Sequence, residues 1–126
     1  MVQAQLVEVI CDTSFLIHLA NNRIKNLSSI DAEIGSIQFV VPDTVLAELA
    51  KLAQNQEKKS AAEATLSYIK TFKTVKLGGR FADAEFVSYI KKHGGIVATM
   101  DKELKSKLKK SGGSVISISN NKIVLE

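Results

Sequence analysis

The chain has 126 residues, of which 45% are apolar and 24% charged, and a formal net charge of +4 at pH 7; that is enough for one α/β-sized domain with its own core and leaves little room for a second. No apolar run reaches the roughly 20 residues of a membrane span, the opening MVQAQLVEV lacks the basic and apolar regions of an export signal, and Cys11 stands alone, so no intrachain disulfide is available and a reducing, cytoplasmic setting is expected. The positive charge is almost all lysine, 15 Lys against 2 Arg, which permits a polyanionic partner and equally serves solubility.

Taken in chain order, LVEVIC (6–11) reads as a strand and TSFLIHLA (13–20) as a helix, followed by a second helical stretch, KNLSSIDAEIG (25–35). IQFVV (37–41) is the next strand, then the helices DTVLAELAKLAQ (43–54) and KKSAAEATLSYIKTF (58–72), the strand TVKL (74–77) and the helix ADAEFVSYIKKHG (82–94). GIVAT (95–99), DKELKSKLKK (101–110) and SVISI (114–118) continue the alternation, and NNKIVLE (120–126) adds a short edge strand. Strands alternating with helices predict a parallel sheet covered on both faces, and the β-branched, nearly all-apolar strands suit that burial. Pro42, Gly78-Gly79, Gly94-Gly95 and Gly112-Gly113 fall between elements, as turn residues should.

In such a sheet, ligands gather beyond the carboxyl ends of the strands, where the strand order reverses. Asp12 directly follows the first strand and Asp101 comes two residues after Thr99; with a sheet order of 3-2-1-4-5 the two open into one cleft. Each also stands where a helix begins and so doubles as an N-cap, the role assigned outright to Asp43. Helical spacing puts Glu48 at the border of the apolar face formed by Val45, Leu46, Leu49, Leu52 and Ala53, with Lys51 further out. Asp83 shares a face with Phe86, Val87 and Ile90, whereas Glu85 is expected on the opposite side. An unpaired acid on a packing face is costly, and a hard divalent cation would resolve the conflict for a set of four inward acids. Zinc is poorly served by one Cys and by His18 and His93, which lack ligand spacing; His18 reads as a packed helix residue and His93 as a helix C-terminal one.

VICDTSFLIHL, FVVPDTVLAELAKL, ADAEFVSYI and IVATMDKELKSKLKKSGGSVISI together resemble, in order and spacing, the four acidic motifs of PIN-domain ribonucleases. The resemblance covers nearly the whole chain and is nearer to small archaeal PIN proteins related to rRNA-processing nucleases than to VapC-type toxins. It implies a single PIN-like domain over residues 1–126, a three-layer α/β/α sandwich around a parallel sheet of about five strands in the order 3-2-1-4-5. Position by position, it makes Asp12, Glu48, Asp83 and Asp101 the catalytic acids and the ligands of Mg²⁺ or Mn²⁺, with the hydroxyls of Thr13, Ser14 and Thr99 beside them. Ser14 stands where Asn is common, and Ala84 where the rRNA-processing relatives often carry a second Asp.

The activity implied is a metal-dependent endoribonuclease hydrolysing RNA phosphodiester bonds, in rRNA maturation or RNA turnover. The alternatives are the toxin of a toxin–antitoxin pair and a PIN-fold RNA-binding or assembly module with little turnover. RNA is the implied partner, and the family also allows a homodimer, an antitoxin or a ribosome-assembly partner. Lys102, Lys105 and Lys109 of the basic helix, with Lys51 and Arg80, are placed to hold flanking phosphates; the bland reading of the same run is a solvated helix face. A receiver-like domain lacks its acid pair and terminal lysine here, a haloacid-dehalogenase-like phosphatase would need an Asp at position 14, and neither GxGxxG nor GxxxxGK[ST] occurs.

Overall fold

In a computed structural model the described residues are 7–26, 37–77 and 82–126, the side chains of 82 and 83 aside. The helical stretch expected at 25–35 and the Gly78-Gly79 turn fall largely or wholly outside them. Six strands form one sheet: β1 (Val7–Cys11), β2 (Ile37–Pro42), β3 (Lys73–Val75), β4 (Ile96–Ala98), β5 (Ser114–Ser119) and β6 (Lys122–Leu125). Five described helices intervene: α1 (Thr13–Asn21), α2 (Asp43–Leu52), α3 (Lys59–Tyr68), α4 (Ala82–His93) and α5 (Lys102–Lys110).

The sheet order is β3-β2-β1-β4-β5-β6, with the first five strands parallel and β6 antiparallel to β5. The five-strand order expected from the sequence holds, and the edge strand extends it. Because β1 lies between β2 and β4, the chain leaves β1 in one direction and β4 in the other. Right-handed crossovers then send the following helices to opposite faces, giving a three-layer α/β/α sandwich.

The core explains the patterning. Val9, Ile10 and Cys11 of β1, Val40 and Val41 of β2, Val97 and Ala98 of β4, and Val115 and Ile116 of β5 are fully buried, as strands covered on both faces require. On α5 only Leu104 and Leu108, one turn apart, are buried; those two side chains, each contributing about 1.5–3 kcal/mol by burial, hold a helix otherwise made of lysine and polar residues. The third strand covers Lys73–Val75 rather than 74–77, because the pairing of Val40, Val41 and Pro42 with residues 73–75 sets its position.

Two expectations fail locally. Asp43 is not the cap of α2: Pro42 holds the N-cap backbone geometry, with no side-chain cap bond, and Asp43 is the first helical residue. Its carboxylate accepts instead from its neighbour's amide, Thr44 N, and from Leu77 N across the sheet edge. Glu85 does not project away from the packing face: it is 6% exposed, and its Oε2 has no hydrogen-bond partner. The buried stripe of α4 is broad enough to take in Glu85 as well as Phe86 and Ile90. His18 is half-buried, as a packed residue should be, with Nε2 unpartnered, and His93 ends α4 against the Tyr89 ring at 4.6 Å.

Candidate active site

The strand order places the ends of β1 and β4 side by side, and a hydrogen-bond network joins them. Asp12 N donates to Ala98 O at 3.0 Å, extending the ladder one residue beyond β1. The Thr99 hydroxyl donates to Asp12 Oδ2, Asp101 N donates to Thr99 Oγ1 at 3.0 Å, and Met100 N donates to Ser14 Oγ at 3.1 Å. Ser14 in turn donates to Asp12 Oδ1 at 2.8 Å. Thr99 and Ser14 therefore each link the β1 end to the β4 end, the place expected of hydroxyls beside the acids.

Both aspartates are N-caps and cleft residues at once. Asp12 Oδ1 accepts from Phe15 N at 2.9 Å, opening α1. Asp101 Oδ1 accepts from Glu103 N and Leu104 N at 2.8 and 3.2 Å, opening α5. A capping bond fixes the rotamer of each carboxylate, so the bland and functional readings do not compete. Asp12 and Asp101 share, with Glu48 and the hydroxyl residues Thr13, Ser14 and Thr44, the lining of a cleft of about 200 Å³ whose apolar wall includes Phe86 and Leu104.

Glu48 comes from α2 on the other side of that cleft. It is exposed and its Oε2 accepts from the Thr13 hydroxyl at 3.0 Å, so the first residue of α1 aims an acid carried 35 positions later. Asp83 falls in the first turn of α4, and its side chain lies outside the described residues, as does Arg80. Thr44 went unnoticed in the sequence; its position one helical turn before Glu48 is the signal that would have found it. Its Oγ1 is buried without a hydrogen-bond partner.

Burial pushes the Asp12 carboxyl above its ordinary range; donors from Thr99, Phe15 and Ser14 work against this, and the charge of Asp101 adds to it. Asp12 is thus an acid held at 9% exposure with a second acid in its field. Among the described residues no three of His, Cys, Asp and Glu stand close enough together to enclose a metal ion. Among the described residues the cleft donors are nevertheless all oxygen, carboxylates first, a chemistry that fits a hard divalent cation better than thiolate or imidazole ligation would. Cys11, fully buried behind Asp12, has its thiol pushed well up by desolvation and by the Asp12 charge, which leaves it a packing residue.

Of the basic residues, Lys51 is exposed on α2. Lys102, Lys105 and Lys109 line a shallow groove along α5 together with Lys110 and Glu126. Lys105 is engaged there, 3.0 Å from Glu126 Oε2. No described helix is long and apolar enough to cross a membrane.

A doubly wound sheet with carboxylates gathered where its strand order reverses defines a small α/β domain built to bind at the carboxyl edge of the sheet. Residues 9–121 match the model of the PIN like domain family, and the chain belongs to that family. It is similar to the protein named Ribonuclease VapC4 of Methanocaldococcus jannaschii, 28% identical over 123 residues that cover 93% of this chain and 94% of the relative. Among solved structures it is similar to that of the PIN domain endonuclease Utp24, with a TM-score of 0.74 at 27% identity, covering 94% of this chain and 90% of the other. A Pyrobaculum aerophilum protein shares the fold, with a TM-score of 0.60 at 20% identity over 88% of this chain and 92% of the other.

Proposed function

We propose that this chain is a divalent-metal-dependent endoribonuclease acting in RNA maturation or turnover. The observation that carries the reading is the convergence of Asp12, Glu48 and Asp101, from three separate elements, on one cleft of a PIN-family domain. The relatives named a ribonuclease and an endonuclease support the class of chemistry.

In this reading Asp12, Glu48, Asp83 and Asp101 hold Mg²⁺ or Mn²⁺, which when bound supplies a water of lowered pKa and charge stabilisation at the scissile phosphate. The chain's own residues do the rest. Thr99 and Ser14 hold Asp12 in place, the α5 amides hold Asp101, and Thr13 holds Glu48, so the carboxylates are oriented before the substrate arrives. Burial and the Asp101 charge make an ionised Asp12 costly, a cost that a bound cation would offset. Phe86 and Leu104 form an apolar wall that limits water around the reacting phosphate. Lys102, exposed at the start of α5 next to Asp101, would hold a flanking phosphate.

The test is incubation of the purified chain with total RNA, with Mn²⁺ and with a chelator, beside Asp12→Asn. Cleavage only by the wild type with metal is the expected result. Cleavage that persists in chelator, or in Asp12→Asn at wild-type rate, overturns the reading.

A further inference from the structure

Among the described residues that line the acid cleft, Thr13, Ser14 and Thr44 carry hydroxyls, and those of Thr13 and Ser14 are already committed. Thr13 donates to Glu48 Oε2 at 3.0 Å. Ser14 donates to Asp12 Oδ1 at 2.8 Å and accepts from Met100 N at 3.1 Å. Thr44 Oγ1 is different: it is buried and has no hydrogen-bond partner. The Thr44 amide is taken by Asp43 Oδ1 at 2.9 Å, and Pro42 holds the cap position of α2 without a side-chain bond. The hydroxyl therefore does nothing for the helix that carries it. A buried hydroxyl left unpaired is destabilising, and an apolar side chain of the same shape, valine, avoids that cost. Unsatisfied groups of this kind call for a role outside the fold.

From this difference we propose that the Thr44 hydroxyl is a substrate contact, donating to a non-bridging phosphate oxygen of the RNA strand held over the acids. The inference rests on the ribonuclease reading for the identity of the phosphate. The cleft is rich in acceptors, the carboxylates of Asp12, Glu48 and Asp101, and no lysine or arginine is among the described residues that line it. A phosphate oxygen entering it meets side-chain donors only at those hydroxyls, and Thr44 holds the one that is not already given to a carboxylate. A ribose hydroxyl, by contrast, can donate to the carboxylates and needs no donor from the protein. Thr44 stands one helical turn before Glu48 on α2, so the two share a face of the helix. As a residue it is half-buried, and because Oγ1 holds no hydrogen bond, a step between staggered χ1 rotamers turns it into the cleft without breaking one. A hydrogen bond to an ionised oxygen is roughly twice as strong as one between neutral groups, so a phosphate is the acceptor that repays the turn.

The experiment compares wild type, Thr44→Val and Thr44→Ser. Melting in EDTA should place Thr44→Val at or above wild type, because the unpaired hydroxyl is gone. Binding of a short fluorescein-labelled oligouridylate is followed by anisotropy in Ca²⁺, a hard cation that neutralises carboxylates, at several salt concentrations. Thr44→Val should bind about tenfold more weakly, the loss of one hydrogen bond to a charged group, and Thr44→Ser close to wild type. The lost donor is uncharged and releases no counterion, so the salt slope should stay that of wild type. Calorimetric affinity for Mn²⁺ should be the same in all three. Wild-type RNA affinity in Thr44→Val, an equal loss in Thr44→Ser, or a Thr44→Val that melts below wild type overturns the proposal. A fall in Mn²⁺ affinity alongside the RNA loss overturns it too, since the hydroxyl would then serve Glu48 and not the phosphate. Wild-type cleavage of the same RNA in Mn²⁺ is scored separately: its absence would remove the ribonuclease reading, while weaker binding by Thr44→Val alone would still uphold the phosphate contact.

Discussion

The Thr13 hydroxyl and Glu48 Oε2 lie 3.0 Å apart, and this one bond ties the start of α1, next to Asp12, to the middle of α2. A carboxylate on an exposed helix position is otherwise free to rotate, and freezing a flexible acid costs conformational entropy each time it binds. Thr13→Val should leave the fold intact and weaken Mn²⁺ binding about tenfold, the order seen when a group that orients a ligand is lost. Thr13→Ser, which restores the hydroxyl, should recover most of it. Calorimetric titration of the two variants checks this; equal affinities for Val and Ser would mean that the bond does not orient Glu48.

Asp12 carries a pH signature. Its folded pKa is raised above the ordinary 3.8, so between those two values the folded chain holds the proton more tightly than the unfolded chain does. Stability from this group is therefore greatest below 3.8 and falls as pH rises, until the folded pKa has been passed. In metal-free buffer Asp12→Asn should melt above wild type at pH 7, and the gap should narrow as the pH is lowered towards 3.8. Melting curves in EDTA across that range test it, and a gap independent of pH contradicts it.

Glu85 and Asp83, two residues apart on α4, should differ in their part in catalysis. Glu85 is buried with one carboxylate oxygen unpartnered, an arrangement that costs about 1–3 kcal/mol. Glu85→Gln, whose amide leaves an equally unpartnered polar atom in the same place, should leave both melting temperature and RNA cleavage near wild type, whereas Asp83→Asn should abolish cleavage. Parallel melting and cleavage assays check both. A larger loss of cleavage from Glu85→Gln would put the site on the other side of α4.

Gly95 lies at φ +103, and a Cβ there would meet Glu8 O at 3.2 Å. Gly95→Ala should therefore cost about 1–3 kcal/mol, measured by urea unfolding. Since β4 delivers Thr99 and Asp101 to the cleft, activity should fall with the folded fraction.

What the sequence made legible was whatever depends on period and order. Apolar runs broken by helical spacing yielded the five parallel strands; their order came from the resemblance to PIN-domain ribonucleases, and the placement of Asp12 and Asp101 at adjacent strand ends followed from that order. What escaped depends on the exact direction of individual side chains. Glu85 was sent outward by ideal helical phase, but the sheet and α5 together bury more of α4 than one narrow stripe. Asp43 looked like a cap because Asp commonly is one, yet Pro42, with its φ of −64°, already held the cap geometry. The lysines of α5 were visible as a run, but only the tertiary contact with Glu126 shows that Lys105 is engaged.

Single-turnover cleavage of one labelled single-stranded RNA in Mn²⁺, by wild type and by Asp101→Asn, tests the central claim most directly. Asn keeps the cap on Glu103 N and Leu104 N, so circular dichroism and melting should match wild type while the cleavage rate falls by about 10²-fold or more. Cleavage by folded Asp101→Asn at the wild-type rate would contradict the assignment of this cleft as the catalytic centre.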